Sequence, residues 1–374
     1  MRVLIAGGGT AGHINPALAI LSIIKQRDPD AVFLYAGTPG GMESKLVPRE
    51  GIEFAPIKVS GFQRRISPEN IVRNIRTVHY LIHSGARARK IIKDFEPDIV
   101  IGTGGYVSGP VVFTAQAMHI PTVIHEQNAY PGVTTRMLAK KADGVMLTME
   151  EAAKFMPGVK YDLTGLPVRK IFDNMPERAQ AKRELGLDEN APCIFSFGGS
   201  LGAGAINDCA IALIKWEKSQ DKPVSHIHSY GKTGHDTFVS RLTEAGIDPQ
   251  SDGLIIQEYI HNMDTCMAAA DLIICRSGAS AISELEAAGR ASVLIPSPIV
   301  AGNHQYHNAM TLENAGAAKV IEQKDLTDEL IVDTVKEMIH DPERLRELET
   351  NAAACRISDT ADRIYEVIQR AVKT

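Results

Sequence analysis

The 374-residue chain lacks any apolar run long enough to form a membrane-spanning helix, and its five cysteines include no Cys-x-x-Cys pair. A spanning helix needs about 20 consecutive apolar residues, so the first absence excludes an integral helical membrane protein. The second leaves Cys193, Cys209, Cys266, Cys275 and Cys355 as small buried hydrophobes of a reducing compartment, not a disulfide framework or a zinc site. A basic excess is missing too: the net charge is −5, which argues against a nucleic-acid binder. No signal peptide precedes the first apolar run, so a cytosolic protein is expected. No low-complexity segment interrupts the chain, and its length exceeds what one core usually holds, so two domains with a short linker near Leu163–Arg169 are expected.

What is present begins with the apolar run Val3-Leu4-Ile5-Ala6, which enters Gly7-Gly8-Gly9-Thr10-Ala11-Gly12-His13. A buried strand feeding a glycine-dense turn and a helix start is suited to holding phosphate or sugar, because glycine lets the backbone approach and the first helical N–H groups attract anions. The spacing Gly7-x-Gly9-x-x-Gly12 satisfies the dinucleotide fingerprint, but that fold needs an acid at the end of the second strand. Phe33-Leu34-Tyr35-Ala36 ends in Gly37-Thr38, which excludes NAD and FAD. Gly231-Lys232-Thr233 ends like a P-loop, yet its first glycine would fall at His226. Asp28-Pro29-Asp30 resembles an acidic metal motif, but a proline between a helix and a strand reads as a surface turn.

Strand and helix patterns alternate along both halves. Strands are predicted at Ala31–Ala36, Glu53–Ile57, Asp98–Gly102, Thr122–His125 and Gly144–Thr148, with a helix from Ile14 to Gln26 and another near Met42–Arg49. A long helix starts at Ser67-Pro68 and runs to Phe95. A second round starts at strand Cys193–Phe197, the turn Gly198-Gly199-Ser200-Leu201-Gly202 and a helix from Ala205 to Lys218. Strands His226–Tyr230, Gly253–Gln257, Leu272–Cys275 and Ser292–Pro296 follow, then three helical patterns ending at Val372. Two doubly wound α/β halves, each headed by a glycine turn, imply a cleft with ligands at the carboxyl ends of the strands. In the second half, Arg276-Ser277-Gly278-Ala279 opens a helix carrying Glu284, which is either a ribose ligand or a solvated helix acid.

The ordered set Gly8–His13, Gly104-Gly105-Tyr106-Val107-Ser108-Gly109-Pro110, His125-Glu126-Gln127-Asn128, Gly165-Leu166-Pro167-Val168-Arg169, Gly198–Gly202, Arg276–Ala279 and His304-Gln305-x-x-Asn308-Ala309 resembles the MurG family. The likeness covers nearly the whole chain. It implies a GT-B fold: two Rossmann-like domains, 1–165 (with 358–374 packing back on it) facing the acceptor and membrane, and 166–357 binding the donor. It further implies inverting transfer of N-acetylglucosamine (GlcNAc) from UDP-GlcNAc to the C4 hydroxyl of lipid-linked MurNAc-pentapeptide, with no cofactor and no metal. By the same resemblance, Ile260 would meet uracil through its backbone, Ser200 and the turn at Ala279 the diphosphate, Glu284 the ribose and Gln305 the sugar hydroxyls. Asn128, Arg169 and Thr10, Ala11 and Gly12 would reach into the donor site. Two departures stand out: Ala11 replaces a common glycine, and Ala281 replaces a threonine found in some members.

An inverting transfer needs a base for the acceptor hydroxyl, and His13 is the expected one, with phosphate or acceptor binding as its alternative role. The turn Gly104-Gly105-Tyr106 is expected to hold the acceptor diphosphate. On the long helix, Ile71, Ile75, Val78 and Ile82 form one face and Arg73, Arg76, Tyr80, His83, Arg87 and Lys90 another. With Arg64 and Arg65, this basic stripe is expected to contact anionic lipid at the inner face of the plasma membrane. Acceptors other than the muramyl lipid, or a non-catalytic nucleotide-sugar binder, are the rival readings.

Overall fold

The computed structural model describes residues 1–59, 83–199 and 201–373. The start predicted for the long basic helix, with Ile71, Arg73, Ile75, Arg76, Val78, Tyr80 and Ile82, lies outside the described residues, as do Arg64 and Arg65 before it and Ser200. Two compact units divide the chain: Met1–Pro167 together with Ile357–Thr374, and Val168–Arg356.

Among the described residues of the first unit, the strands are β1 (Arg2–Gly7), β2 (Val32–Gly37), β3 (Glu53–Pro56), β4 (Ile99–Gly104), β5 (Thr122–Glu126), β6 (Gly144–Leu147) and β7 (Asp162–Leu163). They form one sheet in the order β3-β2-β1-β4-β5-β6-β7. Every pairing is parallel. Helices cover both faces, so Val3–Ala6 of β1 and Ile99–Gly102 of β4 are buried runs with no polar alternation. Against one face lie helix Ala11–Arg27 and the C-terminal helix Thr360–Val372, whose Ile364, Val367, Ile368 and Ala371 join Ile20, Leu21 and Ile24 in the core. Against the other lie helical residues 83–95, through Ala88, Ile91, Ile92 and Phe95, and helix Gly105–Ala117. Strand order steps outward in both directions from the β1/β4 pair, which makes that pair the switch point.

The second unit repeats the plan with β8 (Cys193–Phe197), β9 (Ser225–Ser229), β10 (Leu254–Gln257), β11 (Leu272–Cys275), β12 (Ser292–Leu294) and β13 (Ala318–Val320). The order is β10-β9-β8-β11-β12-β13, again parallel, so its switch point is β8/β11. β7 and β13 were not predicted, because two or three residues carry no periodicity to read. The first helix starts at Ala11 instead of Ile14, since the first turn is small and polar and has no apolar repeat. His13 therefore sits in that first turn. Asp28–Asp30 lies in the turn between this helix and β2.

All five cysteines are free thiols, and four are buried. Burial raises the Cys209 and Cys266 thiols to about 12, so they stay protonated and unreactive. Among the described residues, no helix is long and apolar enough to cross a membrane.

Candidate active site

At the switch point of the first unit, the turns after β1 and β4 are pressed together. A Cβ on Gly105 would lie 2.2 Å from Gly8 O, and one on Gly104 would lie 2.7 Å from His13 Nδ1. Both glycines also have positive φ, 104° at Gly104 and 77° at Gly105, which other residues rarely adopt. Gly104 closes β4, and Gly105 and Tyr106 open the next helix, so this turn is a strand end running directly into a helix. The Ser108 hydroxyl accepts the Gly104 N–H at 3.1 Å and donates to Ala6 O at 2.6 Å, tying the two strand ends together.

His13 is half-buried and held from the side of β4. Its Nδ1 lies 3.1 Å from Thr103 O and 3.2 Å from Gln127 Oε1, while the Thr103 hydroxyl donates to His13 O at 2.8 Å. Gln127 and His125 are both buried and bonded to each other. Glu126, also buried, accepts N–H groups from Asn128 and Gly132 and the Asn128 amide, fixing that loop.

Glu43 is a residue that the sequence reading missed. It is buried, and its carboxylate accepts the Gly9 N–H at 3.3 Å and the Thr38 N–H at 2.9 Å. The glycine turn therefore already holds an internal anion at Gly9. The N–H groups left for a ligand are those of the first helical turn, Ala11 and Gly12, which have no partner within their helix. Tyr35 donates to Gly7 O at 2.9 Å from beneath, and burial raises its phenol so that it keeps the proton.

In the second unit, the turns that follow β8 and β11 lie side by side at the switch point. The Gly202 N–H donates to Gly199 O at 2.8 Å, closing the turn that leads into helix Gly204–Glu217. Beside it, β11 passes through Arg276–Gly278 into helix Ala279–Ala288, which carries Glu284. Arg169 belongs to this unit and donates to Glu284 Oε1 from Nε and Nη2 at 3.2 and 3.0 Å. Burial raises the Glu284 carboxyl above the usual range, and Arg169 opposes the rise. The Ser277 hydroxyl donates to Gln305 O at 2.7 Å, and the Asn308 amide donates to Ser277 O at 3.1 Å, so the two motifs lock to each other. Gln305 Oε1 accepts the Ser297 N–H at 2.8 Å, which leaves its NH2 as the group able to donate to a ligand. Ile260 is buried. Arg276 turns back onto Ile295 O and Gln323 and serves the fold.

The exposed basic residues of the long helix are less free than the sequence implies. Arg87 donates to Pro56 O at 3.3 Å, and Lys90 pairs with Asp94 at 2.8 Å. Exposed apolar side chains stand elsewhere: Tyr106 and Phe113 on one helix, Val133 and Met137 on the neighbouring Val133–Leu138 helix, with Lys140 and Lys141 following. Sequence periodicity could not find these, because their spacing matches that of core residues.

The chain matches the model of the glycosyltransferase family 28 N-terminal domain over residues 3–147 and that of the glycosyltransferase family 28 C-terminal domain over residues 193–364. An Acetivibrio thermocellus protein named UDP-N-acetylglucosamine--N-acetylmuramyl-(pentapeptide) pyrophosphoryl-undecaprenol N-acetylglucosamine transferase is 44% identical over 374 residues, covering 100% of this chain and 99% of its own length. A Bacillus anthracis protein of the same name, numbered 1, is 40% identical over 374 residues, covering 100% of both. The crystal structure of Acinetobacter baumannii MurG superposes with a TM-score of 0.78 at 28% identity, over 98% of this chain and 99% of that one. The UDP-GlcNAc 2-epimerase of Neisseria meningitidis, solved with UDP-GlcNAc bound, gives 0.63 at 14% identity over 100% of each chain. At that identity the likeness speaks for the fold alone, which hosts more than one chemistry.

Proposed function

The chain belongs to glycosyltransferase family 28, and we propose that it moves GlcNAc from UDP-GlcNAc to the C4 hydroxyl of MurNAc in undecaprenyl-diphospho-MurNAc-pentapeptide, a step of peptidoglycan synthesis. The observation that carries this reading is full-length identity to transferases of that name, with every motif of the resemblance in order. The substrate atoms and the residue roles below are our assignment.

The second unit takes the donor: Ile260 by its backbone for uracil, the turn at Ser200 and the Ala279 helix start for the diphosphate, Glu284 for the ribose hydroxyls and the Gln305 NH2 for the sugar. The first unit takes the acceptor, with Gly104, Gly105 and Tyr106 at its diphosphate. Asn128, Thr10, Ala11 and Gly12 meet the transferred sugar and the phosphates. His13 removes the proton of the acceptor hydroxyl as its oxygen bonds to the anomeric carbon, and the carbon–phosphate oxygen bond breaks with its electrons leaving on UDP. Helix N-termini at both switch points stabilise the charge that develops on phosphate.

Incubation with UDP-GlcNAc, the muramyl-pentapeptide lipid and a chelator is expected to release UDP at the rate seen without chelator. A glycerolipid acceptor is expected to give none. UDP release with the glycerolipid alone would overturn the acceptor assignment, and release with neither acceptor would leave only a nucleotide-sugar binder.

The lipid acceptor requires the enzyme to work at the inner face of the plasma membrane as a peripheral protein. Support comes from the exposed Tyr106, Phe113, Val133 and Met137 with Lys140 and Lys141 behind them, since apolar side chains beside basic ones suit an anionic interface. Arg87 and Lys90 stay in this assignment with Arg73 and Arg76, at about 1 kcal/mol for each basic residue near the surface. Phe113→Asp with Met137→Asp is expected to cut sedimentation with anionic vesicles about tenfold or more. Unchanged sedimentation would move the docking face elsewhere.

A further inference from the structure

Three backbone carbonyls in the first unit fix the direction of a hydrogen-bond chain that ends on His13. Gly165 O lies 3.1 Å from His125 Nε2, and a carbonyl only accepts, so that nitrogen carries the proton. His125 O lies 2.9 Å from Gln127 Nε2, which turns the Gln127 amide so that its NH2 faces His125. The same NH2 donates to His125 Nδ1 at 2.9 Å, the bare nitrogen of a neutral ring. Burial disfavours the charged form of His125, in keeping with a neutral link. Gln127 Oε1 is thereby aimed at His13, 3.2 Å from Nδ1, and Thr103 O stands 3.1 Å from the same nitrogen. Two acceptors at Nδ1 and no donor require the proton to be on Nδ1.

We propose that Gln127, backed by His125, is a positioning residue that holds His13 in its Nδ1–H tautomer and so presents Nε2 as the unprotonated base. The proposal rests on the reading of His13 as the base, but concerns what makes only one of its nitrogens available. When Nε2 takes the acceptor proton, the ring becomes an imidazolium whose Nδ1–H already points at two carbonyl oxygens. The developing charge is met without any side chain having to move. In the other tautomer, Nε2 would carry a proton and the acceptor hydroxyl would face no lone pair.

The neighbouring titratable groups are engaged elsewhere. Glu43 binds the Gly9 and Thr38 amides, Glu126 binds those of Asn128 and Gly132, and Tyr35 binds Gly7 O. A new charge at position 127 would therefore act on His13 and His125 directly.

The test is long-range nitrogen–proton NMR of the full-length protein with labelled histidine, the His13 signals being assigned by their loss in His13→Ala. The wild type is expected to show a protonated Nδ1 and a bare Nε2. Gln127→Met, which keeps the bulk but loses both polar atoms, is expected to give a mixture of tautomers. It should lower kcat about tenfold, with KM for UDP-GlcNAc unchanged. Gln127→Glu is expected to move the acidic limb of the kcat/KM profile up by about 1 pH unit or more, because an opposite charge within hydrogen-bond reach favours the imidazolium. A wild-type His13 protonated at Nε2, or a Gln127→Glu profile superimposable on the wild type, would overturn the proposal. The two readings fail separately. If His13→Ala keeps full turnover, the base assignment falls whatever the tautomer; if turnover is lost but Nε2 carries the proton, only the positioning role falls.

Discussion

Replacing His13 by alanine is expected to lower kcat by roughly 10²–10⁴-fold, the usual contribution of a positioned general base. KM for UDP-GlcNAc is expected to stay within about twofold, since the residues assigned to the uracil and the ribose stand in the other unit. Its hydrogen-bond partners at Nδ1 cannot take over the proton: Thr103 offers a carbonyl and Gln127 an amide, neither of them basic near neutral pH. Steady-state kinetics on a soluble acceptor analogue measure this. The competing role, a ligand for phosphate or the acceptor, makes a different forecast, with KM for the acceptor rising and kcat largely kept. His13→Gln separates the two, because glutamine still donates and accepts hydrogen bonds but takes no proton. Turnover restored in that variant would end the base assignment.

Replacing Glu284 by glutamine is expected to raise KM for UDP-GlcNAc by about 10–100-fold without lowering stability at neutral pH. A hydrogen bond to a charged acceptor is worth about 1.5–3 kcal/mol, and about 1.4 kcal/mol is a factor of ten in affinity. The stability forecast follows from the raised carboxyl, whose cause is burial, with Arg169 opposing. A carboxyl whose folded-state pKa exceeds its unfolded value stabilises the fold while protonated, and that contribution disappears as pH rises through the folded value. The ionised form of Glu284 is thus a cost to the free protein, which ribose hydroxyls would offset on binding. The Tm of Glu284→Gln is expected to equal or exceed that of the wild type near pH 7, the gap closing as pH falls. Arg169 is half exposed, so losing its partner leaves it in water. A Tm lowered by several degrees with an unchanged donor KM would make the Arg169–Glu284 pair structural.

Much of this architecture could be read from the residues. β8 and β11 have the predicted limits, because Cys193–Phe197, apolar but for Ser196, and Leu272–Cys275 are runs cut off by glycine or a charged residue. The glycine turns were equally legible, since backbone that must approach other backbone tolerates no side chain, and Gly105 over Gly8 O is such a case. What holds His13 was not legible. Its partners stand 90 and 114 residues away, and one of them is a main-chain carbonyl, which any residue carries. The search for an acid at the end of β2 found none, yet Glu43 on the next helix folds back under the turn. Local spacing cannot report a carboxylate that arrives by tertiary packing.

The C-terminal helix has a consequence for the order in which the protein is made. Residues 1–167 leave the ribosome before the second unit, whereas Ile364, Val367, Ile368 and Ala371, buried in the first unit's core, leave after it. Gly144 on β6 has its missing side chain's space taken by Val367, so that part of the sheet face stays uncovered until the helix carrying Val367 has emerged. The second unit, by contrast, closes on a continuous stretch and can fold as soon as it has emerged. The half begun first is therefore completed last, and a nascent chain stalled near Arg356 would display an uncovered apolar sheet of the kind that chaperones bind.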